Sequence, residues 1–259
     1  MKNTSWIIAA LVIAIVIFSE IGSNKPVEEA PRSISQLESF KTYGQRGVEN
    51  TWPDVGDEPL LNVASNLTAA NYYLVIDGSG SMADSRCSNG RPKIDVAKES
   101  LIAFIKQIPE DANVGIYAFD NAGARERLAL GNHSVAKQIG VINSIRANGG
   151  TPLSHGVVTG HAQLTAMGKR QLGYGEYHLV VVTDGEASTG YSPSEAVDQL
   201  LIRTPINLHT IGFCIDGGHS LNRPGYVLYK AADDPESLNE GLASVLAEAP
   251  VFDLSSFDE

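Results

Sequence analysis

Two short, uninterrupted apolar runs dominate the pattern of hydrophobic and polar positions, and an Asp-Gly dipeptide closely follows each of them. The first run occupies residues 72–76 and the second occupies residues 179–182. A strand buried on both faces of a parallel sheet reads as a continuous apolar run, whereas a strand with one wet face alternates. We therefore predict two central strands, each ending close to an aspartate.

Segments with apolar residues at helical spacing alternate with these and other short apolar runs. Alternating strands and helices form a mostly parallel sheet with right-handed crossovers and helices on both faces. The sequence therefore predicts the α/β class, with a doubly wound sheet whose ligands collect at the carboxyl ends of the strands. Further strands are predicted at 114–119, 127–130 (an edge strand), 206–213 and 226–229, and helices at 94–108, 134–145, after Pro152, at 194–202 and at 236–246.

The amino-terminal segment favours export. Lys2 precedes an apolar run over residues 6–18, which as a helix is about 20 Å long and shorter than the ~30 Å hydrocarbon core of a bilayer. That length is typical of a secretory signal, but the small-residue cleavage pattern near residues 17–23 is poor. We expect residues 1–22 to be a signal-anchor or a signal peptide. The chain is then a single-pass membrane protein with its C-terminal domain extracytoplasmic, or is secreted after cleavage.

The rest of the chain divides into three parts. Residues 23–70 contain scattered prolines and glycines without a clear period, and we expect a tether. Residues 71–249 carry the alternating pattern and form the predicted domain. Residues 250–259 are expected to be a loose tail.

Composition excludes some functions. With 30 acidic and 19 basic residues, the formal net charge is −11, which makes nucleic acid an improbable partner because nucleic-acid binding needs a clustered basic face. The two cysteines, Cys87 and Cys214, form no CxxC pair, so a thiolate zinc site is not expected. They could form a disulfide in an oxidising compartment or remain free thiols. Both follow predicted strand ends on one side of the sheet, which favours the disulfide.

Side chains with carboxylate or hydroxyl oxygens occur in three of the predicted loops. Asp77, Ser79 and Ser81 follow the first central strand, Thr151 precedes a helix, and Asp184 follows the second central strand. Carboxylate and hydroxyl oxygens suit Mg²⁺, Mn²⁺ or Ca²⁺ better than copper or structural zinc. We therefore predict a metal site at the carboxyl ends of the strands, with an open coordination position that attracts an anionic oxygen.

Three motifs resemble the metal-ion-dependent adhesion site (MIDAS) of von Willebrand factor A domains. Residues 77–82 read Asp-Gly-Ser-Gly-Ser-Met and are similar to the family's DxSxS signature. Residues 149–153 resemble its threonine loop and residues 181–185 its second aspartate. The similarity covers residues 70 to 249, with the motifs in the family's order. It implies a Rossmann-like fold in which 127–130 is an antiparallel edge strand.

The resemblance also implies roles for the five residues. The serines and the threonine ligate the metal directly, and the two aspartates ligate it directly or through water. A glutamate or aspartate of a protein partner completes the shell. The expected function is therefore metal-dependent capture of a protein ligand with an exposed acidic residue, without catalysis.

Two alternatives remain open. The domain could be a scaffold subunit of a cell-envelope assembly, in which the metal only orders loops. A metal-dependent hydrolase is less favoured. Residues 78–80 do not have the G-x-S-x-G spacing of a hydrolase elbow, and Ser79 stands where an aspartyl phosphotransferase needs a second acid.

The loop between residues 83 and 93 follows the predicted metal serines and carries Arg86, Arg91 and Lys93. We expect it to form a positively charged rim that guides an acidic partner. A merely solvated insertion is the competing interpretation.

Overall fold

The computed structural model describes residues 52–54, 62–215 and 218–247. They all belong to one compact unit, Gln45–Glu259. The predicted signal segment 1–22, the tail 250–259 and most of the tether lie outside the described residues. Within the described ranges, no helix has the length and apolar character that a membrane crossing requires.

Six strands form one sheet in the order β3-β2-β1-β4-β5-β6. All neighbouring strands are parallel except β2 and β3, which are antiparallel. This confirms the predicted doubly wound sheet with an antiparallel edge strand. The strands are β1 (Ala70–Asp77), β2 (Asn113–Asp120), β3 (Gly123–Gly131), β4 (Glu176–Thr183), β5 (Asn207–Phe213) and β6 (Leu228–Ala232).

Five helices cover the two faces. One face packs α1, α2 and α5 on a continuous apolar core that includes Leu74, Ile76 and Phe104. The other face packs α3 on the central strands, and α4 packs beside α3. The helices are α1 (Lys93–Ile105), α2 (Val135–Ser144), α3 (Leu153–Arg170), α4 (Ser194–Arg203) and α5 (Pro235–Ala247), and a 3-10 turn spans Gly80–Ala83.

Close packing of α3 on the sheet depends on its glycines. A Cβ added at Gly156 would lie 2.5 Å from Val75 of β1, and one at Gly160 would lie 2.4 Å from Leu179 of β4. No real side chain fits at such distances. The helix therefore lies directly on the two central strands and brings its amino end, which follows Thr151, to their carboxyl ends.

Two details depart from the sequence predictions. The last strand begins at Leu228 rather than at residue 226, because the Tyr226 and Val227 amides bond to the Arg223 carbonyl in a turn. Part of the predicted tether also packs on the domain. The Trp52 ring lies edge-on to Tyr177 with 4.7 Å between ring centres.

Candidate metal centre

The turn after β1 is built by Asp77. Its Oδ1 accepts the Ser79 amide hydrogen at 2.7 Å, which reverses the chain directly after the strand. A Cβ at Gly78 would lie 2.8 Å from the Asp120 Cβ, so only glycine fits between Asp77 and Ser79. The turn leaves the Ser79 and Ser81 hydroxyl oxygens 3.1 Å apart.

The second aspartate joins these serines. Ser81 Oγ donates to Asp184 Oδ1 at 2.7 Å, so strands β1 and β4 bring the predicted ligands together at one edge of the sheet. Oxygens on adjacent positions of an octahedral Mg²⁺ site lie about 3 Å apart, given metal–oxygen distances of about 2.1 Å. The spacing among Ser79, Ser81 and Asp184 fits a small hard cation, which these three residues would hold.

The threonine loop is tied to both aspartate loops. Gly80 donates its amide to the Gly149 carbonyl at 3.0 Å. Thr151 is buried, and its amide donates to Ser188 Oγ at 2.9 Å while the Ser188 amide donates to the Thr151 carbonyl at 3.0 Å. The five residues predicted as ligands therefore lie on three mutually bonded loops.

Asp77 differs from Asp184 in its partners. Its Oδ2 accepts the Thr183 hydroxyl at 2.6 Å, so both of its oxygens are bonded to uncharged donors. Burial raises the pKa of Asp77 to about 6, although the bonds from Ser79 and Thr183 act in the opposite direction. A carboxylate that is costly to ionise in isolation is stabilised by a nearby cation.

Asp184 is paired with a lysine. Lys93 Nζ lies 2.6 Å from Asp184 Oδ2, and the two side chains are 2% and 0% exposed. Lys93 therefore lies inside the site, beside a predicted metal ligand, and not on a solvent-exposed rim. As the first residue of α1, Lys93 directs its ammonium into the site instead of into solvent.

The two arginines of the predicted rim are exposed and paired with acids. Arg86 Nε lies 2.7 Å from Asp84 Oδ2, and Arg91 donates to Glu99 at 2.9 Å. Guidance of an acidic partner by these arginines stays a prediction. Cys87 of the same loop forms a disulfide with Cys214, which links the loop to the end of β5.

Three contributing residues were not singled out from the sequence. Thr183 and Ser188 bond to predicted ligands, and His219 supports the loop after β4. His219 Nδ1 accepts the Leu221 amide at 3.0 Å, which leaves Nε2 to donate to the Gly185 carbonyl at 3.0 Å. Thr183 lies inside the 181–185 motif and could have been found there. Nothing in the sequence connects Ser188 or His219 to the site.

No group of three His, Cys, Asp or Glu side chains suited to a metal occurs among the described residues. A cation at this centre would therefore depend on hydroxyl ligands as well as on carboxylates, which is the ligand chemistry of hard cations.

Comparisons with known proteins point to one family. An uncharacterised protein of Bacillus subtilis (strain 168), YwmD, is 23% identical over 200 residues, which cover 69% of this chain and 87% of YwmD. The pilus adhesin SpaC of Lactobacillus rhamnosus GG is similar in structure, with a TM-score of 0.54 and 18% identity over 72% of this chain and 31% of SpaC.

A third similar protein is proximal thread matrix protein 1 of the mussel byssus, in a structure with a zinc-occupied MIDAS motif. Its TM-score is 0.54, with 16% identity over 69% of this chain and 45% of that protein. At these identities the two solved structures support the fold. The profile of the von Willebrand factor type A domain matches residues 71–259, and with the sheet order and the three bonded loops this shows that the chain belongs to the von Willebrand factor type A domain family.

Proposed function

We propose that this domain binds one divalent cation through Ser79, Ser81, Thr151, Asp77 and Asp184 and uses it to hold a protein partner. The observation that carries the proposal is the cluster of Ser79, Ser81 and Asp184 oxygens, spaced 3.1 and 2.7 Å apart at the carboxyl end of the sheet. Hydroxyl ligands bring no charge, so the ion keeps an affinity for an outside anion.

The favoured ion is Mg²⁺, with Mn²⁺ or Ca²⁺ as substitutes, because all five side chains offer hard oxygens. Zinc belongs in any comparison of ions, since the byssus matrix protein has zinc at its MIDAS motif.

The partner is a protein that supplies an aspartate or glutamate to the metal. The similar pilus adhesin supports a role in protein interaction rather than catalysis. The arrangement of oxygens suits an ion, because the serines bond to each other and to Asp184, and Asp184 is also held by the Lys93 ammonium.

The chain is proposed to be exported and held at a membrane by residues 1–22, with the domain outside the cytoplasm. The Cys87–Cys214 disulfide supports an oxidising compartment, where such bonds persist.

The test is capture of partner proteins from a membrane extract by the full chain, in Mg²⁺ and in a chelator. The same protein must be recovered in Mg²⁺, lost in chelator, and lost with the Ser79→Ala/Ser81→Ala variant. Ser85→Ala is the matched control, because Ser85 is an exposed serine of the adjacent loop. Equal capture with and without metal would reject the proposal.

A scaffold role is the second candidate, and the many bonds between the three loops favour it. Circular dichroism in chelator separates the two functions. An intact fold with lost capture supports adhesion, whereas unfolding without metal supports a structural ion.

A further inference from the structure

Lys93 is an unusual residue to find completely buried. Its side chain is 2% exposed and its ammonium contacts Asp184 Oδ2 at 2.6 Å. Removing an ammonium from water is costly unless an anion compensates it. A salt bridge of this kind is weak evidence for stability, so its position beside a predicted metal ligand calls for a functional explanation.

The two aspartates of the site have different hydrogen-bond and ion-pair partners. Asp77 accepts only uncharged donors, from Ser79 and Thr183. Asp184 accepts the Ser81 hydroxyl on one oxygen and the Lys93 ammonium on the other. One carboxylate therefore carries an uncompensated charge, while the other has a fixed counter-charge supplied by α1.

We propose that Lys93 is a built-in counter-charge that orders the site before the ion arrives and makes the loaded site favour an anionic ligand. This inference rests on the proposed function. Without metal, Lys93 and Ser81 hold Asp184 at the serines, so the loops keep their arrangement. With metal, the two carboxylates balance the two charges of the ion, and Lys93 leaves one positive charge in excess.

Two consequences follow from that excess charge. The protein binds the divalent ion more weakly than two bare carboxylates would, because the ammonium repels it. The bound ion attracts a carboxylate more strongly, because the partner's charge neutralises the site. Lys93 is thus a positioning residue that shifts binding energy from the protein–metal contact to the metal–partner contact.

The test replaces Lys93 by methionine, which has similar length and no charge. Mn²⁺ is titrated calorimetrically into the full chain, and acetate, the simplest carboxylate, is titrated into the Mn²⁺-loaded chain and followed by relaxation of its methyl protons. We expect Lys93→Met to bind Mn²⁺ about tenfold more tightly and acetate about tenfold more weakly, as expected for loss of one nearby charge.

Lys98→Met is the matched control. Lys98 lies on the same helix and is 8% exposed, but its charged neighbours are Arg146, Asp95 and Asp120 rather than Asp184. We expect this variant to change both affinities by less than about twofold. Unchanged or weaker Mn²⁺ binding by Lys93→Met would overturn the inference, and so would equal effects of the two substitutions.

Loss of folding by Lys93→Met in chelator also gives a decisive result. The ion would then supply the missing counter-charge, so saturating Mn²⁺ must restore the fold, and failure to do so overturns the inference. Failure of the wild-type chain to bind Mn²⁺ would instead reject the proposed function. Wild-type binding with an unaltered Lys93→Met variant rejects the role of Lys93 alone.

Discussion

The two ends of the sheet both bury polar side chains, but they compensate them in different ways. At the carboxyl end, buried carboxylates meet a buried ammonium and several hydroxyls. At the amino end, β4 and β5 bury two histidines, His178 and His209, whose rings bond to each other at 3.1 Å. The carboxyl end keeps full charges, whereas the amino end keeps neutral rings.

The histidines are neutral because of their burial. Desolvation lowers the pKa of His178 to about 4, and desolvation together with the neighbouring His178 lowers the pKa of His209 to about 3. His178 also stacks on Tyr72, with ring centres 4.8 Å apart. Neutral rings of this kind pack in the core, but they provide no charge that would attract an ion or a charged partner.

The proposed ion binding belongs to the carboxyl end of the sheet. Full charges lie there, where an ion could join the loops, and the buried histidines of the opposite end are neutral. Substitutions at the carboxyl end should therefore change metal binding as well as stability, and substitutions at the amino end should change stability alone.

Breaking the Lys93–Asp184 ion pair has the largest expected effect on the free energy of unfolding. Asp184→Ala leaves Lys93 buried without a counter-ion, which costs about 3–5 kcal/mol of the free energy of unfolding. Urea denaturation in chelator measures this. Asp198→Ala is the control, because Asp198 pairs with Arg223 in a bridge whose side chains are 37% and 23% exposed, and its loss should cost about 1 kcal/mol or less. Equal losses of stability would show that the buried Lys93–Asp184 pair contributes no more than an exposed ion pair.

Acidification should destabilise the fold through the two buried histidines at the amino end of the sheet. The histidines bind protons less readily when folded than when unfolded, where their pKa is about 6.5. Acidification from pH 7 to pH 5 therefore favours the unfolded chain, and stability is lost as the pH falls. Relative to the His178→Gln/His209→Gln variant, we expect the wild-type chain to lose about 4 kcal/mol of its free energy of unfolding between pH 7 and pH 5.

The comparison with this double variant, made in chelator by denaturation at each pH, isolates the histidines. The raised pKa of Asp77 acts in the opposite direction, because a carboxyl that binds protons more readily when folded gains stability on acidification. That contribution is common to both proteins and cancels. A difference between the two proteins that stays constant from pH 7 to pH 5 would contradict this account.

Removing the aromatic contact of the amino end should have a smaller effect. A Cβ at Gly168 of α3 would lie 2.4 Å from the Trp52 ring, so the ring packs directly on the helix. Because Trp52 is only partly buried, Trp52→Ala should lower the free energy of unfolding by about 2 kcal/mol, less than a fully buried tryptophan would, and leave Mn²⁺ affinity unchanged. Tyr174→Ala, at a ring that is 69% exposed, should cost less than about 0.5 kcal/mol. A change in metal affinity with Trp52→Ala would show that the two ends are coupled.

The strands and the motif that depend on a local sequence pattern were predicted from the sequence. The apolar runs at 72–76 and 179–182 located β1 and β4, and the topology of parallel sheets then brought their aspartates to one edge. The motif around Ser79 and Ser81 was visible because its residues are close in the chain. The edge strand was located by its position, although β3 is longer than the predicted segment.

Contacts between distant residues were not predictable in the same way. Lys93 and Asp184 are 91 residues apart, and a lysine in a polar loop looks like a solvated charge until α1 turns it inward. His178 and His209 lie on strands whose register sets their contact. Trp52 lies in a stretch without any period, and its contacts with Gly168 and Tyr177 could not be predicted from the sequence.

Calorimetric titration of Mg²⁺ and Mn²⁺ into the full chain and into the Ser79→Ala/Ser81→Ala variant tests the proposed metal centre most directly. Both serine hydroxyls are proposed metal ligands, and their removal leaves the charges of Asp77, Asp184 and Lys93 in place. We expect one ion per chain for the wild type and at least about a hundredfold weaker binding for the variant, a loss of about 2.7 kcal/mol or more. Equal binding by the two proteins, or no binding by the wild type, would contradict the proposed metal centre.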